Sequence, residues 1–273
     1  MIIRLLQTAR HGPLKRFRWI WSISRPVYRF AIKFAPGATV SKKIGNYGPF
    51  KLDRRFAFSN FESWGGQHNR GFSACIEAAR DLDCVLDVGA HIGLVTLPLS
   101  SVISKEGTVY AFEPALGNSK YLSSHLASNS VQNVKVVTEL LGAENRSGVE
   151  FFESNEDSGM NTVSSEGKRR GYESRQVDQV TLDTFCDTRG IVPELVKIDT
   201  EGAEIFILEG GRQTLSTHKP TIFLSVHPRH IEDLGGSLES LETLISELGY
   251  KVSDIDGNPA RPTKLTEYLL TPA

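Results

Sequence analysis

The 273-residue sequence is poor in cysteine, with three residues and no Cys-x-x-Cys pair among them. Cys75, Cys84 and Cys186 therefore offer neither a zinc knuckle nor a disulfide framework, and an odd number of thiols reads as reduced packing residues. Long apolar runs are also missing. In the aromatic-rich start of the chain, Arg18, Arg25, Arg29 and Lys33 interrupt every stretch near the ~20 residues a membrane span needs. The same interruptions fit a secretory leader poorly, whereas an arginine-rich transit peptide stays open. Acids are absent from residues 1–52, which hold eleven Lys and Arg; the rest of the chain holds twenty basic and thirty-two acidic residues. The net charge of −1 thus averages two unlike parts. Phe17, Trp19, Trp21, Tyr28, Phe30 and Phe34 interleave with the cations of the first part, which suits a peripheral contact with an anionic membrane surface or an acidic partner. A cap helix packing its aromatics on the core is the alternative. A cytoplasmic setting is expected, with residues 1–52 as the segment that would meet a membrane surface. No nucleic-acid partner is expected, and no motif speaks to oligomeric state.

What is present is an alternation. Short apolar strands are expected at 84–88, 109–112, 134–137, 195–198 and 221–226, with helical periodicity over 71–80, 93–103, 115–129, 203–208 and 238–248. An added strand at 148–152 and closing strands at 250–255 and 267–270 complete the reading. Residues 153–176 are polar and glycine-dotted and read as a long loop, either functional or disordered. Strands alternating with helices give an α/β fold with a mainly parallel sheet covered on both faces. The domains expected are a basic aromatic extension over 1–60 and a catalytic domain over 61–273.

The turn after the first of these strands carries the chemistry. "VLDVGAHIGLVT" places Gly89 and Gly93 as a dinucleotide turn would, but His91 stands where the middle glycine should let a pyrophosphate approach. Asp87 would also repel that phosphate. Both objections vanish for a cationic ligand without phosphate there, such as S-adenosylmethionine. The second strand ends at Glu113, placed to accept both ribose hydroxyls. A plain tight turn and a solvated strand end are the structural alternatives.

"LVKIDTEGAEIFILEGG" repeats the pattern. Asp199 lies at a strand's carboxyl end, where it can orient an acceptor, act as base or help hold a metal. Glu201 and Glu204 open the next helix, where acids suit the helix dipole. The strand at 221–226 delivers His227 to the same edge, ended by Pro228, and histidine is the side chain best suited to take a hydroxyl proton near neutral pH. Asp199, Glu201 and His227 could together hold a divalent metal, but their spacing is not that of a zinc or calcium motif, so no metal is predicted.

With "VLDVGAHIG", "VYAFEP", "SGMNTV", "VTLDTF" and "LVKIDTEGAEIFILEGG" in this order, residues 70–255 resemble the FkbM-like family of S-adenosylmethionine-dependent methyltransferases. The resemblance implies a Rossmann-like class I methyltransferase fold with a seven-stranded sheet, and O-methylation of a hydroxyl on a sugar, glycan, glycolipid or natural product. It implies that Asp87, Gly89, Ala90 and Gly93 shape the methionine pocket and that Glu113 holds the ribose. Glu139, with Leu141 and Gly142 beside it, is the nearest candidate to meet the adenine. Ser158, Asn161 and Thr162 would line the acceptor site with Glu201, and His227 and Asp199 would be catalytic. Related sequences often carry a glutamate two positions before the histidine; Ser225 stands there, so no metal role is carried over at that strand. Trp64 and His68 are candidates to cover the pocket. Two rival readings are an NAD-dependent oxidoreductase and a non-catalytic scaffold that binds a partner through its basic arm.

Overall fold

All four residues of Leu195–Ile198 are buried, and this short run is a central strand of the protein's main sheet. The computed structural model describes residues 38–66, 69–154 and 171–273. It divides the chain into two units, Met1–Ser63 and Trp64–Ala273. In the first, β1 (Thr39–Ile44) and β2 (Tyr47–Asp53) pair antiparallel, and single turns of 3-10 helix follow at Arg54–Phe58 and Phe61–Ser63. Val40, Ile44, Phe50 and Leu52 alternate toward its small core, with Phe56 and Ala57. The Lys42 ammonium donates to the Ser59 carbonyl at 3.0 Å. Part of the basic segment is therefore a β-hairpin, which the sequence pattern did not suggest. The six interleaved aromatics, and with them most of the membrane-contact reading, lie outside the described residues. No helix among the described residues is long and apolar enough to cross a membrane.

The second unit alternates as expected: α1 (Gly71–Ala78), β3 (Cys84–Val88), α2 (Thr96–Val102), β4 (Thr108–Phe112), α3 (Leu116–Ser128), β5 (Val134–Val137), β6 (Leu140–Leu141), β7 (Arg146–Glu153) and β8 (Glu173–Val180). It continues with α4 (Leu182–Arg189), β9 (Leu195–Ile198), α5 (Glu204–Gly210), α6 (Arg212–His218), β10 (Thr221–Val226), α7 (Pro228–Asp233), α8 (Leu238–Glu247), β11 (Tyr250–Ser253) and β12 (Thr266–Pro272). The strand order is β11-β12-β10-β9-β3-β4-β5, parallel except for β12, which runs antiparallel to both neighbours. This is the seven-stranded Rossmann-like class I methyltransferase sheet that the motifs implied. β6, β7 and β8 form a separate three-stranded sheet.

The two-residue side-chain period of the strands sorts the interior. Leu86 and Val88 of β3, Val196 and Ile198 of β9, and Ile222 and Leu224 of β10 join one apolar cluster with Leu182 and Phe185 of α4 and Leu241, Leu244 and Ile245 of α8. Each such buried side chain contributes about 1.5–3 kcal/mol. The helix spacing has local causes as well. Ser237 and Ser240 form a reciprocal capping box at the start of α8, and Thr181 caps α4 by accepting from the Thr184 amide. The other face of the sheet carries Asp87, paired in register with Lys197, and both are buried. The strand order reverses between β3 and β9. Their carboxyl ends therefore open the crevice in which ligands of doubly wound sheets bind.

Candidate active site

A cavity of about 980 Å³ occupies that crevice. Its wall includes Leu140 and Leu141 toward β5, Gly89, Ala90 and Glu113 in the middle, and Asp199, Glu201 and His227 toward β10. The glycine turn reaches it because its backbone takes conformations that side chains resist. Gly89 has φ +87°, and a Cβ there would lie 1.9 Å from the Asp199 carbonyl oxygen. The strand-one turn and the strand-four acid are thus in backbone contact, held also by the Asp199 amide donating to the Val88 carbonyl at 2.9 Å. Gly89→Ala is expected to cost on the order of 3 kcal/mol, from overlap of two backbones that cannot yield and a strained φ. A urea midpoint equal to that of the wild type would contradict this packing.

His91 takes φ +51°, and its amide donates to Glu113 Oε2 at 2.7 Å. The Ala115 amide donates to Glu113 Oε1 at 2.9 Å. The turn after β3 and the start of α3 therefore grip one carboxyl, which is only 6% exposed yet borders the cavity. Burial pushes the Glu113 carboxyl up to about 7, and the two amide donors oppose that rise only in part.

Asp87 does not reach the cavity. It is fully buried; Thr96 Oγ1 donates to its Oδ2 at 2.7 Å and Lys197 Nζ lies 3.5 Å from its Oδ1. The same ammonium lies 3.4 Å from Asp199 Oδ2, so one buried cation joins the two strand-end acids. Burial works against the charge of Asp199, but Lys197, His227 and a hydrogen bond from Ser225 outweigh it and hold its carboxyl below the ordinary range. Ser225 is thus a neighbour of the acid rather than an acid itself.

On the far side, His227 Nδ1 lies 2.7 Å from Glu204 Oε1. Its Nε2 lies 3.6 Å from Asp199 Oδ1 and 3.9 Å from Glu201 Oε2. His230 stacks on it with ring centres 5.9 Å apart, and its Nδ1 is 2.8 Å from Glu201 Oε2. Glu201 itself has φ +55°, and Gly202 follows at φ +115° with its Cα face against the His230 backbone. Backbone strain of this kind concentrates at functional sites. Among the described residues, no group of three or more His, Cys, Asp or Glu is arranged to hold a metal ion.

Of the sequence candidates, Gly89, Ala90, Glu113, Glu139, Asp199, Glu201 and His227 border one cavity, as does Trp64. Glu139 also pairs with Arg189 at 3.5 Å. Gly93 lies behind the wall, where a Cβ would meet Leu122 at 2.8 Å, and Gly142 is packed on Gln179 and α5. Ser158, Asn161, Thr162 and His68 lie outside the described residues. Lys197 and Glu267 also border the cavity, and neither was singled out from sequence. The signal for Lys197 was a lone charge inside an apolar strand; Glu267, in a closing strand at the chain's end, gave none.

The family model described as the methyltransferase FkbM domain matches residues 87–252. No curated protein matches the chain. Among solved structures, it is similar to methyltransferase FkbM from Methylobacillus flagellatus KT, with 20% identity and a TM-score of 0.46 over 81% of this chain. It spans 46% of that protein's length. It is similar to precorrin-6y C5,15-methyltransferase from Geobacter metallireducens GS-15, with 13% identity and a TM-score of 0.42 over 75% of this chain and 88% of that one. A third likeness is to TYW2 of M. jannaschii in complex with AdoMet, with 15% identity and a TM-score of 0.40 over 81% of this chain and 78% of that one. Such distant likenesses leave the family match to carry the assignment. That match runs from Asp87 through the glycine turn, Glu113, Asp199 and His227 to Val252 on β11, and the chain belongs to the FkbM methyltransferase family.

Proposed function

We propose that the protein transfers the methyl group of S-adenosylmethionine to a hydroxyl oxygen of a sugar, glycan or natural-product acceptor. The observation that carries this reading is the Glu113 carboxyl, buried at the cavity wall beside a turn that lacks the middle glycine. A carboxylate there receives ribose hydroxyls, as NAD sites also do; the NAD reading is disfavoured by His91, which borders the cavity where a dinucleotide turn needs its middle glycine. Gly89 and Ala90 border the cavity between Glu113 and Asp199 and would hold the methionine part. Glu139, Leu140 and Leu141 border its other end and would hold the adenine. The cofactor supplies a methyl carbon already activated by its sulfonium charge.

The chain's own residues then have two tasks. The cavity walls orient the acceptor, which can supply a large part of the rate. His227 Nε2, on the Asp199 side, takes the hydroxyl proton, and the Asp199 and Glu201 carboxylates stabilise the imidazolium that results. The acids at this end also favour an acceptor rich in hydroxyl donors over an anionic one.

Glu113 provides the test. The folded protein holds its proton more tightly than the unfolded chain, whose glutamate titrates near 4.5. Its contribution to stability is complete below that value and lost as pH rises through about 7. Ribose hydroxyls prefer the ionised form, so cofactor affinity should change the opposite way. Calorimetry with S-adenosylmethionine is expected to give roughly tenfold weaker binding at pH 6 than at pH 8, and Glu113→Gln should flatten this dependence. NAD should give no thermal stabilisation, since only a bound ligand raises stability. A pH-independent affinity in the wild type would remove Glu113 from the pocket, and stabilisation by NAD alone would overturn the methyl-transfer reading.

A further inference from the structure

Glu204 is a carboxylate with no exposure at all. As the first residue of α5 it could serve the helix dipole, but an acid does that equally well at the surface. Burial of a carboxylate is costly unless a partner compensates it. Among the described residues its ionic partner is His227, at 2.7 Å from Oε1. Oε1 also receives the Gly202 amide at 3.2 Å, while Oε2 is buried without a hydrogen-bond partner among the described residues. Glu204 does not border the cavity, whereas His227 does.

We propose that Glu204 is the positioning residue of this site: it holds the proton of His227 on Nδ1, so that the Nε2 lone pair is presented to the acceptor. The proposal rests on His227 as the base. A histidine whose one nitrogen donates to a fixed acceptor has a fixed tautomer, and the other nitrogen is then the acceptor. A neutral His227 with its proton on Nε2 would instead leave Nδ1 facing Glu204 as lone pair against carboxylate. The charged groups around the ring are Glu204 from α5, Asp199 from the end of β9 with Lys197 behind it, Glu201 from the turn between them, and His230 from α7. Burial opposes a charged His227, yet the Glu204 hydrogen bond and the Asp199, Glu204 and Glu201 charges outweigh it and raise the ring's proton affinity. The same contact therefore strengthens the base and aims it.

Two-bond ¹⁵N–¹H correlation spectra of the full chain read the tautomer and titration of His227 without any acceptor. In the wild type, the neutral ring is expected to carry its proton on Nδ1 and to titrate above the ordinary 6.5. Glu204→Gln keeps an acceptor but not the charge, so the tautomer should persist while the titration falls by about one to three pH units. Glu204→Leu should lose both. Affinity for S-adenosylmethionine should be unchanged in Glu204→Gln, because the side chain lies behind the cavity wall. A wild-type ring protonated on Nε2, or a titration unmoved in Glu204→Gln, would overturn the proposal. If Glu204→Gln does not fold, the wild-type tautomer decides alone. Failure of the wild type to bind S-adenosylmethionine would instead sink the methyl-transfer reading and leave the Glu204–His227 result standing.

Discussion

Lys197→Met is expected to lower the unfolding free energy by about 3–5 kcal/mol, the cost of removing one partner from a buried ion pair. Lys197 is 8% exposed and pairs in register with Asp87, which is fully buried. Burial lowers the lysine's proton affinity, but Asp199 and Asp87 outweigh it and hold the ammonium charged well above its usual range. Methionine matches the stem of the side chain but not its charge, so Asp87 would keep Thr96 as its donor and lose its counter-ion. Urea unfolding of Lys197→Met, Asp87→Asn and the double variant forms a cycle that isolates the pair. The double variant should recover part of the loss, since it removes the stranded charge. A cost below about 1 kcal/mol for Lys197→Met would mean that Asp87 is not held as an anion by this lysine. Asp199 adds a pH signature. Its carboxyl is depressed, so its contribution is present above the ordinary 3.8 and is lost as pH falls through its lower folded value.

His227→Ala is expected to reduce methyl transfer by roughly 10²–10⁴-fold, the usual contribution of a general base. The measurement is transfer of labelled methyl from S-adenosylmethionine to cell extracts fractionated into glycans, lipids and small molecules, followed by mass spectrometry. Cofactor affinity should stay unchanged, because Glu113 and the glycine turn approach the cavity from β4 and β3, on the other side of Asp199. An unchanged transfer rate would remove His227 from the mechanism. Lost affinity with unchanged turnover would assign it to the cofactor instead. The wild-type rate should also rise with pH as the His227 ring, its proton affinity raised by three carboxylates, becomes neutral.

Much of the sheet could be read directly. The strands at Cys84–Val88, Val134–Val137, Leu195–Ile198 and Thr221–Val226 lie where the apolar runs placed them, because strands of a sheet covered by helices are mostly apolar. The helix expected from residue 93 begins at Thr96 instead, since Gly93 sits at φ +92°. The closing strand near residue 267 runs longer, over Thr266–Pro272. Elements with mostly exposed side chains escaped. β8 carries the sequence ESRQVDQV, in which Val177 is the buried residue, so its residues 173–176 read as loop. The hairpin of β1 and β2 was masked by the basic character of its segment.

The sequence by itself determined the strands of the main sheet, the glycine turn, and which acids and which histidine stand at the carboxyl ends of strands. Those properties follow from local periodicity and from neighbours a few residues apart. The tertiary structure decided which of these groups face the cavity and in what charge state. Asp87 proved to be a buried partner of Lys197 rather than part of the cavity wall. Glu204 turned from a helix-opening acid into the partner of His227, and Glu267 joined the wall from the last strand. The charge a carboxyl or imidazole carries depends on burial and on groups brought within a few ångströms by the fold. For Asp87 and Lys197, or Glu204 and His227, those groups come from different strands and helices, and no local pattern in the chain encodes that meeting.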